Sequence, residues 1–253
     1  MKTLISAAVV AILAFGAQDA RADEVTLIAP GGLRCPMDRM KPDFEKKTGN
    51  TLKVTIGAGG ATHKQVVQGV AVDVPVVQPP YKDVIDSGNV VPSSETPLAT
   101  VAIVVVVKKG APKPDISTPD AVKKLLLNAK AISYPDGAGG NGGAAGVSFD
   151  NTQKQLGIYD QMQPKVKRMQ GVPLLKMLTN GDIDVAVTFA SEINDPGVDV
   201  VGPLPRSIST PTALVGFVSS HTPHPDAAKA LLAYLSGADA AAAYRACAMT
   251  PGK

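Results

Sequence analysis

The stretch SYPDGAGGNGGAAGVSF, Ser133 to Phe149, decides how this chain is read. Ala131 to Tyr134 is a short apolar strand candidate, and Pro135 and Asp136 stop it. The glycines from Gly137 to Gly146 then let the backbone turn its N–H groups outward before the sequence becomes helix-competent. A glycine loop feeding a helix N-terminus suits an anion, because unpaired amides and the helix dipole both favour negative charge there.

Working outward, the same strand-to-loop-to-helix order recurs on both sides. Val25 to Ala29 reads as a strand, Pro30 to Arg34 as a glycine turn, and Met37 to Thr48 as a helix with Met37, Met40 and Phe44 on one face. Leu52 to Ile56, a turn over Gly57 to Ala61 and a helix from His63 to Gly69 form a second unit. Val72 to Val77 followed by Tyr81 to Ser87 forms a third. Val101 to Val107 is a β-branched strand, buried on both faces, leading to a helix capped by Thr118 with Pro119 at its first position. A second set follows: the glycine loop and a helix closed by Gly157, a strand over Lys165 to Met169, a helix over Pro173 to Thr179 and a strand over Ile183 to Phe189. Ala213 to Val218 reads as a strand, and Pro225 to Ala246 as two alanine-rich helices split near Gly237.

This order predicts an α/β fold of two Rossmann-like lobes with mixed, mostly parallel sheets, joined where the chain crosses twice. The expected lobes are residues 23–100 with 212–253, and residues 101–211. Ligands in open α/β sheets lie outside the carboxyl ends of strands, where the glycine turns fall.

The first residues carry Lys2, an apolar run from Leu4 to Phe15 and Ala20-Arg21-Ala22, the pattern of an export signal cleaved near Ala22. That run, like Leu98 to Val107, is too short to cross a bilayer. Removing residues 1–22 lowers the formal charge from +3 to +2, a balance too small to suggest nucleic acid or an anionic membrane as partner.

Cys35 and Cys247 form an even pair that an oxidising compartment most simply joins as a disulfide. Two separate buried thiols, or a reactive Cys35 at a helix start, are the other readings. Gly137 to Gly142 satisfies G-x-G-x-x-G, but glycine abundance makes the match easy and Pro135 interrupts the strand-to-loop step. No lysine follows the glycines as a Walker loop needs, and no G-x-S-x-G elbow occurs. His221 and His224 lie between prolines without ligands at metal spacing, and a Cys35–His63 dyad is the one nucleophilic arrangement to weigh. The sequence calls for no cofactor and no metal. Arg34, Thr62, His63, Asn141, Thr188 and Ser191 are the polar groups that β-to-α junctions could bring to one cleft.

IAPGGLR at Ile28 to Arg34, KPDFEKKTGNTLKV at Lys41 to Val54 and GAGGATHKQVVQGVAVDV at Gly57 to Val74, followed in order by GGAAG, GDIDVAVTFASEI and GVDVVGPLP, resemble the periplasmic solute-binding proteins of ABC importers, in particular the molybdate-binding type. The resemblance implies a monomer of two lobes closing on a small anion, with an inner-membrane permease as partner and no chemistry of its own. Its two serine positions fall on Gly32 and Gly60, its backbone donor near Val172 and its tyrosine on Phe189. Three hydroxyls are therefore missing where an oxyanion would expect donors; the N–H groups of the glycine turns, with Thr62, Thr188 and Arg34 in place of the lost hydroxyls, leave a molybdate-type oxyanion as one expected ligand, and Arg34, suited to pairing a carboxylate through two N–H groups, makes a small carboxylate the other. The expected ligand set is Gly32, Leu33, Arg34, Gly60, Ala61, Thr62, Gly143, Ala144, Val172, Thr188, Phe189 and Ser191. An exported enzyme using Cys35 with His63, or a sensor using the same cleft, is the alternative.

Overall fold

The computed structural model describes residues 23–137, 142–169 and 173–252. The export-signal pattern, Asn141 and Val172 lie outside these residues.

Eleven strands among them form two sheets. The first contains β1 (Glu24–Pro30), β2 (Thr51–Gly57), β3 (Val74–Val77), β4 (Thr96–Val101), β10 (Thr212–Gly216) and β11 (Met249–Pro251), in spatial order β11-β4-β10-β3-β1-β2. The second contains β5 (Ile103–Lys108), β6 (Ile132–Pro135), β7 (Val166–Met169), β8 (Val185–Phe189) and β9 (Val198–Pro203), in order β7-β6-β8-β5-β9. Both sheets are mixed. Three neighbouring strands in each run parallel, β2-β1-β3 and β7-β6-β8, and the remaining pairings are antiparallel. The antiparallel share exceeds the expected one, because each crossing strand enters its new sheet against the direction of the βα units.

The apolar stretch from Leu98 to Val107 divides at Ala102: β4 ends in the first sheet and β5 begins in the second. β5 is buried along Ile103–Val107, as its β-branched run requires when helices cover both faces of a sheet. The chain returns through residues 204–211 into β10. β9 and β11 are strands the sequence pattern did not reveal; β9 is largely half-buried and β11 spans three residues, so neither carries a strong apolar signature.

Nine helices among the described residues cover the sheets: α1 (Arg34–Thr48), α2 (Gly59–Val67), α3 (Lys82–Asp86), α4 (Pro119–Asn128), α5 (Ala144–Gln155), α6 (Tyr159–Met162), α7 (Pro173–Asn180), α8 (Pro225–Ser236) and α9 (Ala238–Ala246). The apolar spacing sets which face is buried. Met37, Met40 and Phe44 of α1, Leu174, Leu175 and Leu178 of α7, and Leu231, Leu232 and Leu235 of α8 are all buried. Local caps behave as the sequence implies. Thr118 Oγ1 accepts from Ala121 N at 3.1 Å, and α1 ends at Gly49 in the left-handed conformation, φ 75°.

α2 starts four residues earlier than expected, at Gly59, so Gly60, Ala61 and Thr62 form its first turn rather than the loop before it. Consecutive glycines are poor interior residues but are tolerated in a first turn, where few intrahelical bonds are yet made. A disulfide joins Cys35, in the first turn of α1, to Cys247 just after α9, with 5.9 Å between Cα atoms. It ties the end of the chain to the helix that opens the first βα unit.

Candidate functional site

Four strands, β1, β2, β6 and β8, end at one cleft between the sheets, and the chain leaves them into helical turns. After β1 comes a 3-10 turn, Gly31–Leu33, running into α1; after β2 comes α2; after β6 comes the glycine loop and α5; after β8 comes the 3-10 turn Ala190–Glu192. The residues at the N-caps of α1, α2 and α5 are Leu33, Ala58 and Gly143, and none supplies a side-chain cap. Three helix starts without side-chain acceptors therefore surround a single cavity of about 810 Å³, with their dipoles presenting positive ends.

The cavity wall brings together Gly32 and Arg34 from the first turn, Gly143 and Ala144 from the glycine loop, and Thr188, Phe189 and Ser191 from the second sheet. Arg34 is exposed to it, whereas Thr188 and Ser191 are buried. Leu33 instead turns its side chain into the hydrophobic core. Gly60 gives its N–H to Gly142 O at 3.0 Å, a bond that reaches from α2 to the glycine loop. The Thr62 hydroxyl is occupied within its own helix, donating to Ala58 O at 2.9 Å, and Ala61 sits beside it in the same turn. The groove continues past this contact into a second cavity of about 900 Å³ that includes His63, Lys64 and Arg206. Cys35 has no thiol to offer and His63 bonds Asp83 at 2.8 Å, so the Cys35–His63 dyad does not form.

Two residues on the wall, Gln78 and Glu192, are ones that the sequence did not single out. Gln78, one residue past β3, is 7% exposed and its Nε2 has no hydrogen-bond partner; Ser191 Oγ, 8% exposed, has none either. Buried donors without partners cost about 1–3 kcal/mol each, so a cleft that holds two of them favours a ligand that accepts hydrogen bonds.

The other is Glu192. Its Oε2 accepts a 2.6 Å hydrogen bond from Thr188 Oγ1. A Cβ placed on Gly31 would lie 3.0 Å from its Oε1, so glycine there leaves that oxygen uncovered beside the cavity. Burial pushes the Glu192 carboxyl above the usual range, while the Thr188 hydroxyl and the Arg34 charge pull it back. No acidic motif spacing marked this residue, which follows a strand end in plain loop sequence.

The start of α5 is held from behind. Arg168 on β7 donates to both Asp150 oxygens at 3.2 Å, and Tyr134 on β6 donates to the same carboxylate at 2.7 Å while its ring packs edge-on against Phe149, 4.8 Å between centroids. These bonds lock the first turns of α5 against the sheet. Close approach fixes the first turn of α5 as well: a Cβ on Gly146 would fall 2.0 Å from Pro135 O, so no larger residue fits there.

The family model described as bacterial extracellular solute-binding protein matches residues 25–247, nearly the whole described chain. The chain belongs to this family of bacterial extracellular solute-binding proteins. This solute-binding protein is 29% identical over 234 residues, 90% of the chain and 87% of the relative, to an aconitate isomerase from a Pseudomonas species. Its fold is that of the periplasmic molybdate-binding protein of Azotobacter vinelandii, with TM-score 0.72 and 16% identity over 90% of this chain and all of that one. The sulfate-binding protein SubI of Mycobacterium tuberculosis is equally similar in fold, with TM-score 0.73 and 17% identity over 90% of this chain and 87% of that one. No helix among the described residues is long and apolar enough to cross a membrane.

Proposed function

We propose that this solute-binding protein is exported to the periplasm, where it captures one small polycarboxylate anion in the cleft between its lobes and presents it to an ABC permease. The observation that carries this reading is the convergence of three helix starts without side-chain caps and the Arg34 guanidinium on one cavity. The resemblance to molybdate binders would ask for hydroxyls where Gly32, Gly60 and Phe189 stand. A cavity of about 810 Å³ is also roomier than a single tetrahedral oxoanion needs, and the unpartnered donors on Gln78 and Ser191 lie on its wall with Arg34. Separated donors suit a ligand with several carboxylates, and aconitate, in the name of the Pseudomonas relative, is an unsaturated tricarboxylate.

A second reading, that the bound anion is also isomerised, is favoured by one observation: the Glu192 carboxyl stands beside the cavity with one oxygen uncovered.

Thermal unfolding against molybdate, sulfate, phosphate and mono-, di- and tricarboxylates tests the capture reading. A ligand at about a hundred times its Kd adds roughly 2.7 kcal/mol, a rise on the order of 5–10 °C for a chain of this size. The expected result is a rise with polycarboxylates and none with molybdate. A rise with molybdate alone would overturn the carboxylate assignment.

A further inference from the structure

We propose that Glu192 carries a proton between two carbons of an unsaturated polycarboxylate held in the cleft, so that the protein shifts a carbon–carbon double bond along its ligand. The inference rests on the polycarboxylate reading of the cleft and assigns the residue and the step.

Glu192 is placed for this by two neighbours. Thr188 Oγ1 fixes one carboxyl oxygen at 2.6 Å, and the missing side chain at Gly31 leaves the other uncovered. Of the acidic groups on the cavity wall, Asp38 is exposed on the second turn of α1, whereas Glu192 is half-buried, with one oxygen held by Thr188. Burial strengthens a carboxylate as a base, which carbon acids demand.

The step balances without a cofactor. The Glu192 carboxylate takes a proton from the saturated carbon that lies between a carboxylate and the double bond. The C–H bond breaks, an O–H bond forms on Glu192, and the electron pair spreads through the allylic carbons into the adjacent carboxylate. The Glu192 acid then returns the proton to the far end of the allylic system, which moves the double bond by one carbon. The developing charge on the ligand would be met by Arg34 and the helix starts, donors fixed in place before the reaction. The buried donors of Gln78 and Ser191 would hold carboxylates that do not react.

The test uses the full disulfide-bonded protein in D2O with trans-aconitate as probe. Proton NMR follows deuterium entry and the appearance of the isomer, and calorimetry measures binding in parallel. Wild type is expected to exchange and isomerise the probe, and Glu192→Gln to bind it within about tenfold of wild type while losing at least about a hundredfold in exchange rate. Wild type that binds without exchange would overturn the isomerisation and leave capture standing. Exchange that persists in Glu192→Gln would overturn the assignment to Glu192. Failure of wild type to bind the probe or any other polycarboxylate would overturn the capture reading and this inference together. Thermal unfolding of the variant, compared with Glu192→Asp, separates a lost proton carrier from a lost fold.

Discussion

Thr188 and Glu192 are joined across the end of β8: the threonine hydroxyl donates to the carboxyl at 2.6 Å, four residues along the chain. That bond favours the ionised carboxyl, while burial opposes it more strongly, leaving the group raised from its usual value of 4.5. A raised folded-state value means the native protein holds this proton more tightly than the unfolded chain does. Its contribution to stability is then full below the unfolded value and is lost as pH rises through the folded one. Glu192→Gln removes that loss, so its melting temperature relative to wild type should climb between pH 4 and pH 7. A relative melting temperature that falls over that range would contradict the raised value.

Arg34 stands at the start of α1, exposed to the cavity and with no acidic partner at salt-bridge distance among the described residues. Hydrogen bonds to charged groups contribute about 1.5–3 kcal/mol, so Arg34→Ala should weaken polycarboxylate binding by roughly 10- to 150-fold. Arg34→Lys keeps the charge but not the fork, and should recover only part of the loss. Calorimetric titration of both variants reads this, and unchanged affinity in Arg34→Ala would remove the residue from the site.

The disulfide between Cys35 and Cys247 closes a loop of 212 residues. Loop-closure entropy for that length amounts to about 5 kcal/mol, and loss of native bridges commonly costs about 2–5 kcal/mol. The double variant Cys35→Ala, Cys247→Ala should therefore unfold at clearly lower guanidinium concentration with a similar slope. Because Cys35 also lines the cavity, the variant should bind ligand more weakly even where it remains folded.

Gly146→Ala drives a Cβ toward the Pro135 carbonyl, which belongs to the backbone and has little room to move. The first turn of α5 must shift, with a cost of at least about 2 kcal/mol and loss of ligand-induced stabilisation. Gly31→Ala meets a side-chain oxygen at 3.0 Å instead, so its cost in stability should be smaller and its effect should fall on the position of the Glu192 carboxyl. Melting curves with and without ligand distinguish the two.

Much of the fold was legible along the chain. Met37, Met40 and Phe44 mark a helix by their spacing, Thr118 and Pro119 mark where another begins, and the β-branched run from Val101 to Val107 reads as a strand buried on both faces. These features depend on local periodicity and caps, which neighbours in sequence supply. The break at Ala102 was not legible, since nothing in a continuous apolar run says which sheet each half will join. The start of α2 at Gly59 was missed because glycines signal turns as readily as first helical turns.

The site divides in the same way. Glycine turns at strand ends and the single arginine among them, Arg34, mark from sequence alone a place suited to an anion, because N–H groups and charge are properties of the local chain. Which hydroxyls are free was decided by packing: Thr62 is used within its own helix, while Ser191 has no partner. Gln78 and Glu192 became visible only once two sheets had placed the end of β3 and the turn after β8 on one cavity. The sequence by itself determined the βα units, their caps and the positive ends of the helices, since each arises within about a dozen residues. Only the tertiary structure decided what those ends face and which buried groups share their cavity, because burial and the absence of a partner are relations between segments far apart in the chain.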